Sequence, residues 1–397
     1  MMIGKTSDRN TRPRLTIVDS TLREGEQFAG ADFTSEDKLD IARALVEFGV
    51  DYLEVTSPAA SPRSAADLRM LVDAGLPCTI AAHIRCHEED ARVALECGAG
   101  ALNMVMATSP ILRAAGHGKT IPAVVETAER VARAVRNEAP EIELRFSSED
   151  AFRCPLGDLL NVYLPLSETG LFDRFGIADT TGVAGPEQVS EIVALIARTT
   201  KGAGRSAIEF HGHNDAGCAV ANARAAYLAG ASHINTTVLG IGERNGITAL
   251  EGLIAALYTL DPVATKAAYR LEALGPLAHL VARKVGREVP FNHVLVGETA
   301  FSHKAGIHTK AVYNDPRAYE GLVPEDFGLT REIAVGHRLT GWNAVRVRSE
   351  ALGYRLSVNA LKKATECVKA AADGGDLTLQ EVDAILDQVA AKPSGVT

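Results

Sequence analysis

The chain has 397 residues, enough for a barrel of roughly 250 residues with something appended. Hydrophobic residues make up 46% but aromatics only 5%, so Val, Ile, Leu and Ala must do the packing, as in parallel α/β layers. The net charge of −9 argues against a nucleic-acid partner, and no stretch approaches the roughly 18 apolar residues of a membrane span.

From the N-terminus, residues 1–14 read as a flexible, polar tail without the apolar core of a signal peptide. Short apolar runs then alternate with amphipathic stretches eight times. The predicted strands are Leu15–Asp19, Tyr52–Thr56, Thr79–His83, Ala101–Met106, Glu141–Ser147, Arg174–Ala178, Ala207–His211 and His233–Val238. Between the first two, Ser35–Phe48 carries Leu39, Ile41, Ala42 and Leu45 largely on one face, with Thr34 placed to cap it. Eight βα units in series predict an α/β fold, a (β/α)8 TIM barrel over 15–260, rather than a doubly wound sheet of five or six strands. Residues 261–324 read as a linker subdomain. Residues 325–397 form a mainly helical C-terminal extension, whose last helix opens on Thr378 and Glu381, a capping box. Six cysteines without CxxC spacing suggest reduced thiols and a cytoplasmic protein.

In such barrels the chemistry gathers where the strands end. The first strand runs into Arg23, Glu24 and Gln27, and the third ends on His83. The fifth carries Arg145, Ser147 and Glu149, the sixth leads to Thr180, and the seventh ends in His211-Gly-His213. Two histidines at i and i+2 share a face of a strand, and a bare HxH is more often structural than functional. Glu24 from the first strand changes that balance, because two imidazoles and a carboxylate form an open catalytic metal set. Such a set favours Zn2+ and also suits Mn2+ or Mg2+. Arg23 and Arg145, with His83, Ser147 and Thr180, suit a dicarboxylate bearing a ketone.

Two glycine motifs fail as phosphate sites. Gly118-Lys-Thr120 lacks the first P-loop glycine, since position 113 is Arg. Gly240-Ile-Gly-Glu-Arg-Asn-Gly246 follows the last strand, not the first, although such a turn suits close backbone approach by a ligand.

Asp19-Ser-Thr-Leu-Arg-Glu-Gly-Glu-Gln27, Phe210-His-Gly-His-Asn-Asp215, Leu239-Gly-Ile-Gly-Glu-Arg-Asn-Gly246, Phe301-Ser-His-Lys-Ala-Gly-Ile-His308 and Gly336-His-Arg-Leu-Thr-Gly341 resemble the signatures of the alpha-isopropylmalate and homocitrate synthase family. Arg-Glu-Gly at 23–25, Ile247 and the absence of a long regulatory domain favour the homocitrate synthases within it. The resemblance implies an acyltransferase that condenses acetyl-CoA with 2-oxoglutarate. It implies metal binding by Glu24, His211 and His213, and acceptor binding by Arg23, Gln27, His83, Arg145, Ser147 and Thr180. Proton transfers fall to His308, Glu149 and Tyr319, with Arg23 also catalytic, and the homodimer exchanges a segment that carries His308 and Tyr319. Asn103 stands where lysine-inhibited relatives carry Asp, so Asn103 and Glu209 are expected to set regulation. Other readings are the same condensation on oxaloacetate or phosphonopyruvate, the reverse cleavage by a lyase, and a catalytically silent sensor of a 2-oxo acid or an amino acid.

Overall fold

The computed structural model describes residues 13–201, 207–304 and 306–391. Eight parallel strands close on themselves: β1 (Thr16–Asp19), β2 (Tyr52–Val55), β3 (Thr79–Arg85), β4 (Ala101–Ala107), β5 (Glu143–Glu149), β6 (Arg174–Asp179), β7 (Ala207–Gly212) and β8 (His233–Thr236). Strand β1 pairs with both β2 and β8, which excludes the open doubly wound sheet. Every predicted strand is present, with ends displaced by one or two residues.

Local chemistry starts and stops the helices. Thr34 and Asp37 form a reciprocal capping box on Ser35–Phe48, which satisfies two backbone donors left over in the first turn. Gly49, at φ 110°, ends that helix in a left-handed conformation that costs glycine little. Ile41, Ala42, Leu45 and Phe48 face the barrel and are fully buried.

The chain divides into two compact units, 1–289 and 290–397. This division differs from the boundaries expected at 260/261 and 324/325. Helices Pro262–Ala268 and Leu274–Lys284 stay with the barrel because Leu271, Leu274, Leu277 and Val281 bury there. Lys284 Nζ also pairs with Asp37 and Asp40 of the first helix, at 2.5 and 3.0 Å. Of the expected N-terminal tail, residues 1–12 lie outside the described residues. Arg14 is anchored, donating to Asp51 and to the Gly49 carbonyl.

In the second unit, helices Trp342–Ala351, Val358–Ala371 and Leu379–Ala390 close around Val345, Leu361, Ala364, Val368, Val382 and Leu386. Thr378 and Glu381 form the expected capping box. All six cysteines are free. Among the described residues no helix is long and apolar enough to cross a membrane.

Candidate active site

A cavity of about 290 Å³ opens at the C-terminal ends of the strands. Ten of the expected residues line it: Arg23, Glu24, Gln27, His83, Arg145, Ser147, Glu149, Thr180, His211 and His213. The geometry follows from the pleat, since Arg145, Ser147 and Glu149 alternate along β5 and share one face. His211 is the last residue but one of β7 and His213 lies just beyond the strand, their rings 5.1 Å apart.

Glu24, His211 and His213 offer ligand atoms that all lie within 4.8 Å of one another. Glu24 Oε1 is 4.0 Å from His213 Nε2. Each imidazole has a buried Nδ1 without a hydrogen-bond partner. Burial holds both rings below the usual histidine range, His211 well below it, with each further depressed by neighbouring cations. Neutral imidazoles beside a carboxylate are the protonation state that metal ligation requires, so the residues fit a divalent cation.

The glycine-rich loop after β8 serves this corner rather than a phosphate. The Glu243 backbone N–H donates to Glu24 Oε1 at 2.9 Å. A Cβ at Gly242 would sit 2.8 Å from that same oxygen, so only glycine leaves the carboxylate its place. Arg244 from the same loop lines the cavity, grips Asp215 through two nitrogens at 2.8 and 2.9 Å, and donates to the Thr180 carbonyl.

Glu54, in the middle of β2, is the residue that strand-end reasoning missed. It is fully buried and faces four of the expected positions, Arg23, His83, Asn103 and Arg145, as well as Ser20. Its Oε2 accepts from Ser20 and from Arg23 Nε and Nη2, at 2.9 and 2.8 Å for the arginine. Its Oε1 accepts from Asn103 Nδ2 at 2.7 Å and lies 3.4 Å from His83 Nδ1 and 3.6 Å from Arg145 Nη1. Burial opposes ionisation, but Arg23, His83 and Arg145 outweigh it and hold the carboxyl well below its usual range. His83 is itself lowered, by burial and then by Arg23. Glu149 goes the other way: burial and Asp150 raise it, which favours a proton on it nearer neutral pH.

Asn103 and Glu209 lie beneath the cavity, both fully buried. Asn103 is engaged at both ends, donating to Glu54 and accepting from Arg174 Nη2 at 3.2 Å. Glu209 accepts from Arg145 Nη1. His308 and Tyr319 belong to the second unit, where both are exposed and their rings lie 4.3 Å apart.

The closed barrel and its mouth of arginines, imidazoles and carboxylates define a TIM-barrel enzyme with a candidate metal site, and the HMGL-like family model matches residues 14–281. A second model, described as homocitrate synthase post-HMGL domain-like, matches residues 295–376. The mitochondrial homocitrate synthase of Schizosaccharomyces pombe is 47% identical, covering 94% of this chain and 87% of that protein. The cytosolic homocitrate synthase isozyme of Saccharomyces cerevisiae is 46% identical, over 95% and 87%. An HMG-CoA lyase from Bacillus subtilis has the same fold, with a TM-score of 0.59 and 24% identity, covering 70% of this chain and 95% of that one. The chain belongs to the homocitrate synthase family.

Proposed function

We propose that the protein condenses acetyl-CoA with 2-oxoglutarate and hydrolyses the product thioester, releasing homocitrate and CoA. The observation that carries this reading is one cavity joining Glu24, His211 and His213 to Arg145, Ser147 and Thr180. Glu24, His211 and His213 hold a divalent ion, Zn2+ by preference and Mn2+ or Mg2+ otherwise. When bound, that ion supplies Lewis-acid polarisation of a ketone.

The chain's own residues do the rest. Arg145 and His83 receive the far carboxylate, while Arg23, Gln27, Ser147 and Thr180 orient the keto-acid end. Glu54 keeps Arg23 and His83 in one arrangement, so little is left to reorganise when the acceptor arrives. A base removes a methyl proton from acetyl-CoA, and the methyl carbon bonds to the ketone carbon, whose oxygen takes up a proton. Water then breaks the C–S bond and CoA leaves as the thiol. Glu149, raised by burial, and the His308–Tyr319 pair handle these protons. His308 and Tyr319 serve the partner's site in a homodimer whose exchanged segment, within the second unit, carries them. The free thiols suit a reducing, cytoplasmic setting, and the proposed product suits a lysine-type biosynthetic pathway. Asn103 and Glu209 govern whether a free amino acid can occupy the acceptor site.

The test is release of free CoA from acetyl-CoA with a panel of 2-oxo acids. Preference for 2-oxoglutarate supports the reading; preference for oxaloacetate or phosphonopyruvate replaces the acceptor. No release with any of them favours a silent sensor.

A further inference from the structure

Arg174, at the start of β6, is the largest fully buried side chain among the described residues, at 1% exposure. It is absent from the cavity lining, and its contacts are with residues beneath the cavity. Its guanidinium lies 3.0 Å from Glu209 Oε2 and 3.2 Å from Glu143 Oε1, donates to Asn103 Oδ1, and sits 4.8 Å over the Tyr52 ring. Neither Arg174 Nε nor Glu209 Oε2 has a hydrogen-bond partner, so their contact is an ion pair without hydrogen-bond alignment. Burying an arginine in this way costs desolvation that an apolar side chain would avoid, so packing alone does not account for it.

Register explains the arrangement. Arg145 lies opposite Arg174 across β5 and β6, and Gly176 lies opposite Glu209 across β6 and β7. Two cations on neighbouring strands therefore share one fully buried carboxylate. Glu209 meets Arg145 through Oε1 and Arg174 through Oε2. Gly176 keeps the space between them open, since a Cβ there would lie 2.5 Å from Ser147 Oγ and 3.3 Å from Arg145 Nε.

We infer that Arg174 is a positioning residue that offsets Glu209, so that Arg145 keeps its positive charge available for the far carboxylate of the acceptor. The inference rests on the proposed acceptor grip of Arg145. Without Arg174, Glu209 neutralises Arg145 on its own, and the cavity floor loses one positive charge. Dicarboxylate binding suffers, while a 2-oxo acid with no second carboxylate loses little.

Arg174→Met should raise KM for 2-oxoglutarate by about tenfold or more, the scale of one weakened charge-assisted bond, with kcat much less affected. KM for 2-oxobutyrate should hardly move. Adding Glu209→Gln to Arg174→Met removes the uncompensated carboxylate and should restore 2-oxoglutarate binding to within about threefold, a non-additivity expected of contacting residues. Arg174→Lys, which keeps the charge, should also retain most binding. These two variants carry the test if the single Met variant does not fold, as judged by circular dichroism. Equal losses on both acceptors, or no recovery in the double variant, would overturn the role. Failure of the wild type to use 2-oxoglutarate refutes the proposed reaction instead, and is seen before any variant is made. Calorimetric titration with glutarate, which has two carboxylates and no ketone, then still reads the grip of Arg145.

Discussion

Glu54→Gln removes one charge from the middle of the site while keeping the side chain's shape. One carboxylate oxygen of Glu54 receives Ser20 and two nitrogens of Arg23, and the other receives Asn103 and faces His83. An amide can keep its oxygen on the Arg23 side only by turning its NH2 toward Asn103 Nδ2, which is also a donor. Asn103 cannot easily flip to accept it, because its own oxygen is held by Arg174 Nη2. The substitution therefore removes one of Arg23's two buried carboxylate partners, with Glu24 Oε2 remaining 2.6 Å from Nη1, and adds a donor–donor conflict. Breaking a buried ion pair from one side costs about 3–5 kcal/mol. At about 2–4 °C per kcal/mol for a unit of this size, the barrel's melting point should fall by about 6–20 °C. Far-UV circular dichroism is the suitable readout, because the only tryptophan, Trp342, lies in the second unit. Arg92→Ala is the control. Arg92 pairs with Glu89 and Glu96 on an exposed helix face, and its loss should leave the transition essentially unmoved. A Glu54→Gln barrel that melts with the wild type would refute the buried-pair argument.

Further outcomes follow from the same geometry. Chelation should abolish CoA release and a divalent ion restore it, with His211→Ala inert to added metal; full activity of His211→Ala after exhaustive chelation would remove the metal assignment. Arg145→Ala leaves a dicarboxylate's far charge unpaired, at roughly 3–5 kcal/mol, so 2-oxoglutarate turnover should collapse while acetyl-CoA binding survives. Similar losses for 2-oxobutyrate would count against that grip. Mixing inactive His308→Ala with inactive Glu24→Ala chains should recover some activity if the sites are shared, and none if His308 serves its own chain. Lysine should inhibit the wild type weakly and Asn103→Asp about tenfold to a hundredfold more tightly, as a charge-assisted bond of roughly 1.5–3 kcal/mol allows. Tight inhibition unchanged by the substitution would free Asn103 of that role.

The barrel was legible because its eight units repeat a strong period, and because strand ends collect polar residues at the mouth. That rule found ten of the fourteen cavity-lining positions, yet it directed attention only upward. Glu54 and Arg174 sit lower, inside short runs such as Tyr52-Leu-Glu-Val55, where one charge reads as noise in an apolar strand. Their signal was present: a charge inside a buried strand whose counter-charge stands on another barrel strand, Arg145 for Glu54 and Glu209 for Arg174. Reading it requires knowing which strands adjoin and in what register, and that is a property of the closed sheet. The unit boundary was obscured for a different reason. Leu271, Leu274, Leu277 and Val281 follow the helical pattern of any bundle, and nothing local says which unit they bury against.

Glu54 joins Arg23, His83, Asn103 and Arg145 through a single carboxylate, and this has an evolutionary consequence. Residues tied through one shared partner do not contribute independently, and coupling of about 0.5–3 kcal/mol is typical of such contacts. Changing the acceptor by stepwise mutation at any of these positions first passes through a variant with a stranded buried charge. A descendant lineage reaches a new substrate more easily by exchanging several of them together, or by altering the rim residues Gln27 and Thr180, which lie outside Glu54's reach. Laboratory libraries built on this scaffold should therefore vary the Glu54 neighbours as a block, because single-site scans will report epistasis as intolerance.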